Sequence, residues 1–131
     1  MDRLKDKIAI VSGAGGGIGS AICHRFAQEG AAIICVDINP STLDTTIADI
    51  ARNGGKANKL VADISLEETA VDAVKIAKDE YGGLDILVNN AVYDIALGPL
   101  TTISLDDWRR TMDVNLNSAF LMSKHAIPEM E

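Results

Sequence analysis

Ser12-Gly13-Ala14-Gly15-Gly16-Gly17-Ile18-Gly19 is the stretch that decides the fold. Before it, Lys7 to Ser12 is a β-branched apolar run between a charged start and a glycine cluster, the pattern of a buried strand. After it, Ile18, Ala21, Ile22 and Phe26 recur at helical spacing until Gly30 stops the helix. Glycines between a strand and a helix let the backbone turn tightly and approach a pyrophosphate with no Cβ in the way. The free N–H groups and positive dipole end of the helix then face the anion. The spacing is Gly-x-x-x-Gly-x-Gly at Gly13, Gly17 and Gly19, not the commoner Gly-x-Gly-x-x-Gly. In this strand–helix context the turn predicts a phosphate cradle of Gly13, Gly16, Gly17, Ile18 and Gly19.

Working outward, Ala31 to Asp37 reads as a second strand, and Asp37 ends it 18 residues after Gly19. A carboxylate there accepts hydrogen bonds from both adenosine ribose hydroxyls and repels a 2′-phosphate. Ala14 and Ile38 stand where a basic side chain would rescue that phosphate. NAD is therefore expected over NADP, with Asp37 and Ile38 at the ribose. The competing possibility is that Asp37 only caps the next helix.

The alternation continues. Asn39-Pro40 opens a helix with inner face Leu43, Ile47 and Ile50, ended by Gly54-Gly55. Lys59 to Ala62 predicts a short third strand. Ser65-Leu66-Glu67-Glu68 has the form of a capping box, and Leu66, Ala70, Val74, Ala77 and Tyr81 form the stripe behind it. Leu84 to Asn89 predicts a fourth strand, apolar on both sides and so expected to be central, with a fifth strand beside it. Ser104-Leu105-Asp106-Asp107 opens a last helix whose expected core face is Leu105, Trp108, Met112, Leu116, Ala119 and Ile127, with a kink near Asn115. Strand–helix alternation implies a parallel sheet with helices on both faces, and right-handed crossovers leave the doubly wound α/β type.

A length of 131 residues suits one domain, 1–131, and 47% hydrophobic content suits a packed core. No further strand pattern follows the last helix, so the domain is expected to be incomplete at its C-terminus. A net charge of −7 argues against a nucleic-acid or anionic-membrane partner. Met1 to Lys7 is charged, without an apolar secretory core, and the longest apolar run, Ala31 to Val36, is far too short to span a membrane. A cytoplasmic protein is expected. Cys23 and Cys35 lie inside predicted elements and are expected to be buried, reduced thiols. His24 and His125 have no ligand spacing around them, so no metal site is expected.

Several of these stretches together resemble the short-chain dehydrogenase/reductase family. They are Ser12-Gly13-x-x-x-Gly17-Ile18-Gly19, Asp37, Asp63-Ile64, Asn89-Asn90-Ala91, Asp113-Val114-Asn115-Leu116 and the segment Asn117 to Met130. The match is to the family's N-terminal, cofactor-binding half and implies a Rossmann fold. It implies that Asp63 meets the adenine amino group, that Ile64 meets its ring through the backbone, and that Asn90 and Ala91 lie along the cofactor ribose. It also implies that Asn115 is the helix-kinking amide of the catalytic tetrad, helping to organise a proton-relay water. A helix pair including the last helix commonly forms a dimer contact in the family, which implies a homo-oligomer or a complex with the missing half.

Two departures stand out. Val92 replaces the glycine that usually completes Asn-Asn-Ala-Gly. The family's catalytic serine and Tyr-x-x-x-Lys lie downstream of the matched region, and the residues four after Tyr81 and Tyr93 are Asp85 and Leu97. The expected activity is hydride transfer between NAD and an alcohol or carbonyl substrate, with this chain inactive alone. A non-catalytic NAD-binding module and one component of a two-chain assembly are the alternatives. Trp108 is expected to be a packing anchor, and Arg109-Arg110 a solvated helix face.

Overall fold

The computed structural model describes residues 2–94 and 98–131; Leu97, named above, lies outside them. The strands are β1 (Ile8–Ser12), β2 (Ala32–Asp37), β3 (Lys56–Val61) and β4 (Ile86–Val88). The helices are α1 (Gly17–Gln28), α2 (Pro40–Arg52), α3 (Glu67–Tyr81), α4 (Leu105–Met112) and α5 (Ser118–Met130). A 3-10 turn at Leu100–Thr102 precedes α4, and a π-helical turn at Asp113–Asn117 joins α4 to α5. No described helix is long and apolar enough to cross a membrane.

All strand pairs are parallel, in the order β3-β2-β1-β4. The chain winds from β1 out to β3, then returns to place β4 on the other side of β1. The carboxyl ends of β1 and β4 therefore flank a topological switch point, where ligands of open α/β sheets bind. Alternate strand residues feed opposite cores. Ile10, Ile34 and Val36 pack with Ala70, Ala73 and Ala77 of α3 and with Met122 and Ala126 of α5. Val11, Ile33 and Cys35 pack on the other face with Cys23 of α1 and with Leu43 and Ile50 of α2. Cys23 and Cys35 are free and fully buried, with their sulfurs 3.7 Å apart.

Four sequence expectations are corrected. β3 begins at Lys56 because its backbone pairs with β2 from Ala32↔Lys56 to Asp37↔Val61; ladder register, not an apolar run, sets its length. β4 pairs only with β1 among the described residues, and the fifth strand expected on its other side is not among them. The capping box does not form. Asp63 captures the Ser65 N–H and hydroxyl, and α3 starts at Glu67 with Leu66 as its N-cap. In α1, Ile18 is 73% exposed and Ala21 is exposed; Gly19 and Cys23 face the core, with Ile22 and Phe26 half-buried beside them. The last helix turns its expected stripe outward: Leu105, Trp108, Leu116 and Ile127 are exposed, while Val114, Ser118, Met122 and Ala126 are buried. The π turn winds one residue wider than an α turn and resets the phase of the apolar face, so a single periodicity from Leu105 picks the wrong side. The expected kink at Asn115 is this turn.

Candidate cofactor site

The glycine turn is packed so tightly that side chains are excluded at two positions. A Cβ on Gly19 would lie 1.9 Å from the Gly13 carbonyl oxygen and 2.6 Å from Asn90 Nδ2. Gly13 has a φ of +67°, and its Cβ would meet Asn90 Nδ2 at 2.8 Å. Gly16, Gly17 and Ile18 form the exposed rim, where α1 begins. That helix start has no side-chain cap and no acidic residue in its first turn. By contrast, Asn39 caps α2, Ser104 caps α4, and Glu67 and Glu68 stand in the first turn of α3. The positive end of α1 is thus uncompensated beside an open glycine turn, an arrangement suited to an anion.

Asp37 stands next to this rim. The Gly15 N–H donates to its Oδ2 at 2.8 Å and the Asn39 N–H to its Oδ1 at 2.9 Å. Capping of α2 falls to Asn39, whose Oδ1 accepts from the Ser41 and Thr42 N–H groups. Each Asp37 oxygen retains a lone pair for a hydroxyl. A Cβ on Gly15 would lie 3.0 Å from Asp37 Oδ2, so position 15 adjoins the carboxylate. Position 14 does not present a side chain to the rim: Ala14 is fully buried in the α1–α2 core. Ile38 is 60% exposed and carries no charge.

Ser12 ties the two edges of the switch point together. Its buried hydroxyl accepts from the Asn90 and Ala91 N–H groups, each at 3.0 Å, and donates to the Val88 carbonyl at 3.4 Å. Asn90 Nδ2 donates to the Ser12 carbonyl at 3.1 Å and the Gly13 carbonyl at 3.4 Å. The Asn90 amide is therefore a brace for the glycine turn.

A crevice of about 150 Å³ opens beside the turn, lined by Gly13, Asp37, Ile38, Asp63, Ile64 and Ala91, with Val92, Tyr93 and Arg110 on its far wall. A larger hollow of about 380 Å³, lined by His24, Gln28, Asp49 and Arg52, touches none of the motif residues. In the crevice, Asp63 Oδ1 accepts from the Ser65 hydroxyl at 2.7 Å and N–H at 2.9 Å, and Arg110 Nη1 stands 3.1 Å from Oδ2. Burial pushes the Asp63 carboxyl up, but the Ser65 and Arg110 hydrogen bonds together hold it below its ordinary range. Asn115, in the π turn, grips Tyr93: its Oδ1 accepts the Tyr93 N–H at 2.7 Å and its Nδ2 donates to the Tyr93 carbonyl at 3.2 Å.

Three participants escape a reading of the sequence alone. Ser12 and Gly15 lie inside the quoted turn, where a lone hydroxyl ends an apolar strand and a fifth glycine adjoins the four of the cradle. Arg110 carries no local signal, because its partner Asp63 is distant in sequence; Tyr93, which with Asp94 follows the cofactor loop and is read from the sequence as a candidate wall of a substrate mouth, lines the crevice and is held by Asn115. Arg110 is a crevice wall, where a solvated face was expected.

A doubly wound parallel sheet with an uncapped glycine-turn helix at its switch point defines a nucleotide-binding α/β protein. The chain belongs to the short-chain dehydrogenase family, whose family model matches residues 7–131. It is 38% identical over 128 residues to glucose 1-dehydrogenase 2 of Bacillus subtilis (strain 168), covering 97% of this chain and 50% of that protein. It is 32% identical over 130 residues to dehydrogenase/reductase SDR family member 4 of Homo sapiens, covering 99% of this chain and 47% of that protein. Among solved structures, a doubly substituted short-chain dehydrogenase/reductase from Serratia marcescens superposes with a TM-score of 0.91 at 36% identity, over 98% of this chain and 52% of that one. A metagenomic short-chain oxidoreductase in complex with NADP superposes with a TM-score of 0.90 at 29% identity, over 97% of this chain and 57% of that one. The chain spans about half the length of the curated relatives it matches.

Proposed function

We propose that this chain is the NAD-binding half of an oxidoreductase that moves hydride between NAD(H) and an alcohol or carbonyl substrate. The observation that carries it is the Asp37 carboxylate, held by the Gly15 N–H at the mouth of a glycine turn whose helix has an uncompensated N-terminus. The turn at Gly13, Gly16, Gly17, Ile18 and Gly19 would take the pyrophosphate on backbone N–H groups. Asp37 would take the adenosine ribose hydroxyls, with Ile38 packing beside them. Asp63 and Ile64 would meet the adenine, and Ala91 the second ribose, with Asn90 bracing the turn beneath. When bound, the nicotinamide supplies the hydride chemistry. The metagenomic neighbour was solved with NADP. Here an acid at position 37 and an apolar residue at 38 favour a free 2′-hydroxyl over a phosphate.

Asn115 would hold the loop after β4 in place and help to order a relay water; its amide contacts are the Tyr93 backbone groups. Residues 1–131 contain no Tyr-x-x-x-Lys, so no phenol is activated within them to pass a proton. Two measurements test the proposal. Fluorescence titration with NADH, competed by ADP-ribose, should show one saturable site; no binding of either would overturn it. The purified chain should give no sustained NADH oxidation with alcohol or carbonyl substrates; turnover that survives removal of host contaminants would show that the site is misassigned.

A further inference from the structure

We propose that Arg110 is a positioning residue that fixes the Asp63 carboxylate as an acceptor and so makes the crevice select a purine carrying a 6-amino group. This rests on the assignment of the crevice to the adenosine end of the cofactor. Arg110 Nη1 lies 3.1 Å from Asp63 Oδ2 and 3.0 Å from Ser65 Oγ. Asp63 Oδ1 is occupied by both Ser65 donors, so the spare acceptor capacity of the carboxylate lies on Oδ2. The two side chains are 36% and 26% exposed, and both line the crevice. Arg110 is itself located from a second direction: its guanidinium carbon is 5.9 Å from the centroid of the Tyr93 ring, and Asn115 grips the Tyr93 backbone.

An ionised carboxylate accepts hydrogen bonds and donates none. Facing a 6-amino group it makes a charge-assisted bond. Facing the 6-oxo group of hypoxanthine it sets acceptor against acceptor, and one polar atom is left unpaired in a sheltered site. Without the guanidinium, Asp63 loses its partner on Oδ2. It is then held through Oδ1 alone, and Oδ2 can swing out of line with a 6-amino group, so the bond that distinguishes the two purines is lost. One nitrogen, Nη1, makes both Arg110 hydrogen bonds, so a lysine ammonium can supply them, though not the planar face that the guanidinium turns to Tyr93.

The test is the ratio of affinities for NADH and reduced nicotinamide hypoxanthine dinucleotide, measured by fluorescence titration of the 131-residue chain. The unmodified chain should prefer NADH by roughly tenfold or more, the scale of one hydrogen bond to a charged group. Arg110→Met should cut that preference to about threefold or less, and Arg110→Lys should keep it within about twofold of the unmodified value. Arg110→Gln, closer in shape, carries the same expectation as R110M and replaces it if R110M melts below the assay temperature. Equal losses for both dinucleotides, with the ratio unchanged, would overturn the inference and leave Arg110 a structural tie. Failure of the unmodified chain to bind NADH at all would instead overturn the cofactor-site assignment on which it rests.

Discussion

A methyl group on Gly19 has no place to go. Its nearest neighbours are backbone and the Asn90 brace, not the flexible end of a side chain. Gly19→Ala should therefore shift the turn, lower stability by ~1–3 kcal/mol and abolish detectable NADH binding. A thermal melt and a titration check both parts; a variant that binds like the unmodified chain would show that the turn does not need its close packing. Asp37 is tested differently, because removing its carboxylate adds no clash and instead frees the Gly15 and Asn39 N–H groups along with the ribose acceptor. Asp37→Ala should weaken NADH binding by roughly ten- to a hundredfold, the scale of hydrogen bonds to a charged acceptor, and narrow the preference over NADPH. At this scale the sequence exposes residues whose chemistry is local, such as the glycines and Asp37. It hides those defined by a partner across the fold, as Arg110 is by Asp63.

Elements add a pH dependence. Glu29, just past α1, is buried and accepts from the Arg3 guanidinium at 2.8 Å and the Arg3 N–H at 3.2 Å, while Arg25 approaches to 2.6 Å. The Arg3 side-chain hydrogen bond, against the penalty of burial, lowers its carboxyl from 4.5 to about 2. A depressed carboxylate stabilises the folded chain fully above its unfolded value. Its contribution is lost as pH falls from 4.5 towards about 2. The melting temperature of the unmodified chain should drop through that window, and Glu29→Gln should flatten the drop; parallel curves would remove Glu29 from the account. Asn115→Ala should cost about 1–3 kcal/mol, for two lost hydrogen bonds to the Tyr93 backbone. Amide exchange at Tyr93 should quicken by more than at β1, and protection equal to the unmodified chain would count against the brace. Element types and their order are legible in the sequence because β1, β2, α2 and α3 each carry one clear apolar period. Boundaries set by other forces are not. Ladder register places β3, Asp63 competes for Ser65 at the start of α3, and the π turn rephases α5.

Among the described residues, an unpaired strand edge and an apolar helix face both lie open. β4 pairs on one side only among the described residues. Trp108, Leu116 and Phe120 are 48%, 57% and 65% exposed along the α4–α5 face. Each large apolar side chain left in water forgoes ~1.5–3 kcal/mol of burial, and an unpaired strand edge is a template for strand addition. The isolated chain should therefore sediment at micromolar concentration as an oligomer or a larger aggregate; a soluble monomer with a cooperative melt would show that neither surface seeks cover. The glycine turn and Asp37 should together form a site for NAD. Calorimetric titration of the unmodified chain with NADH and NADPH tests it most directly. One saturable NADH site and at least roughly tenfold weaker NADPH binding are expected, from 2′-phosphate repulsion at Asp37. Equal affinity for the two, or a preference for NADPH, would contradict it.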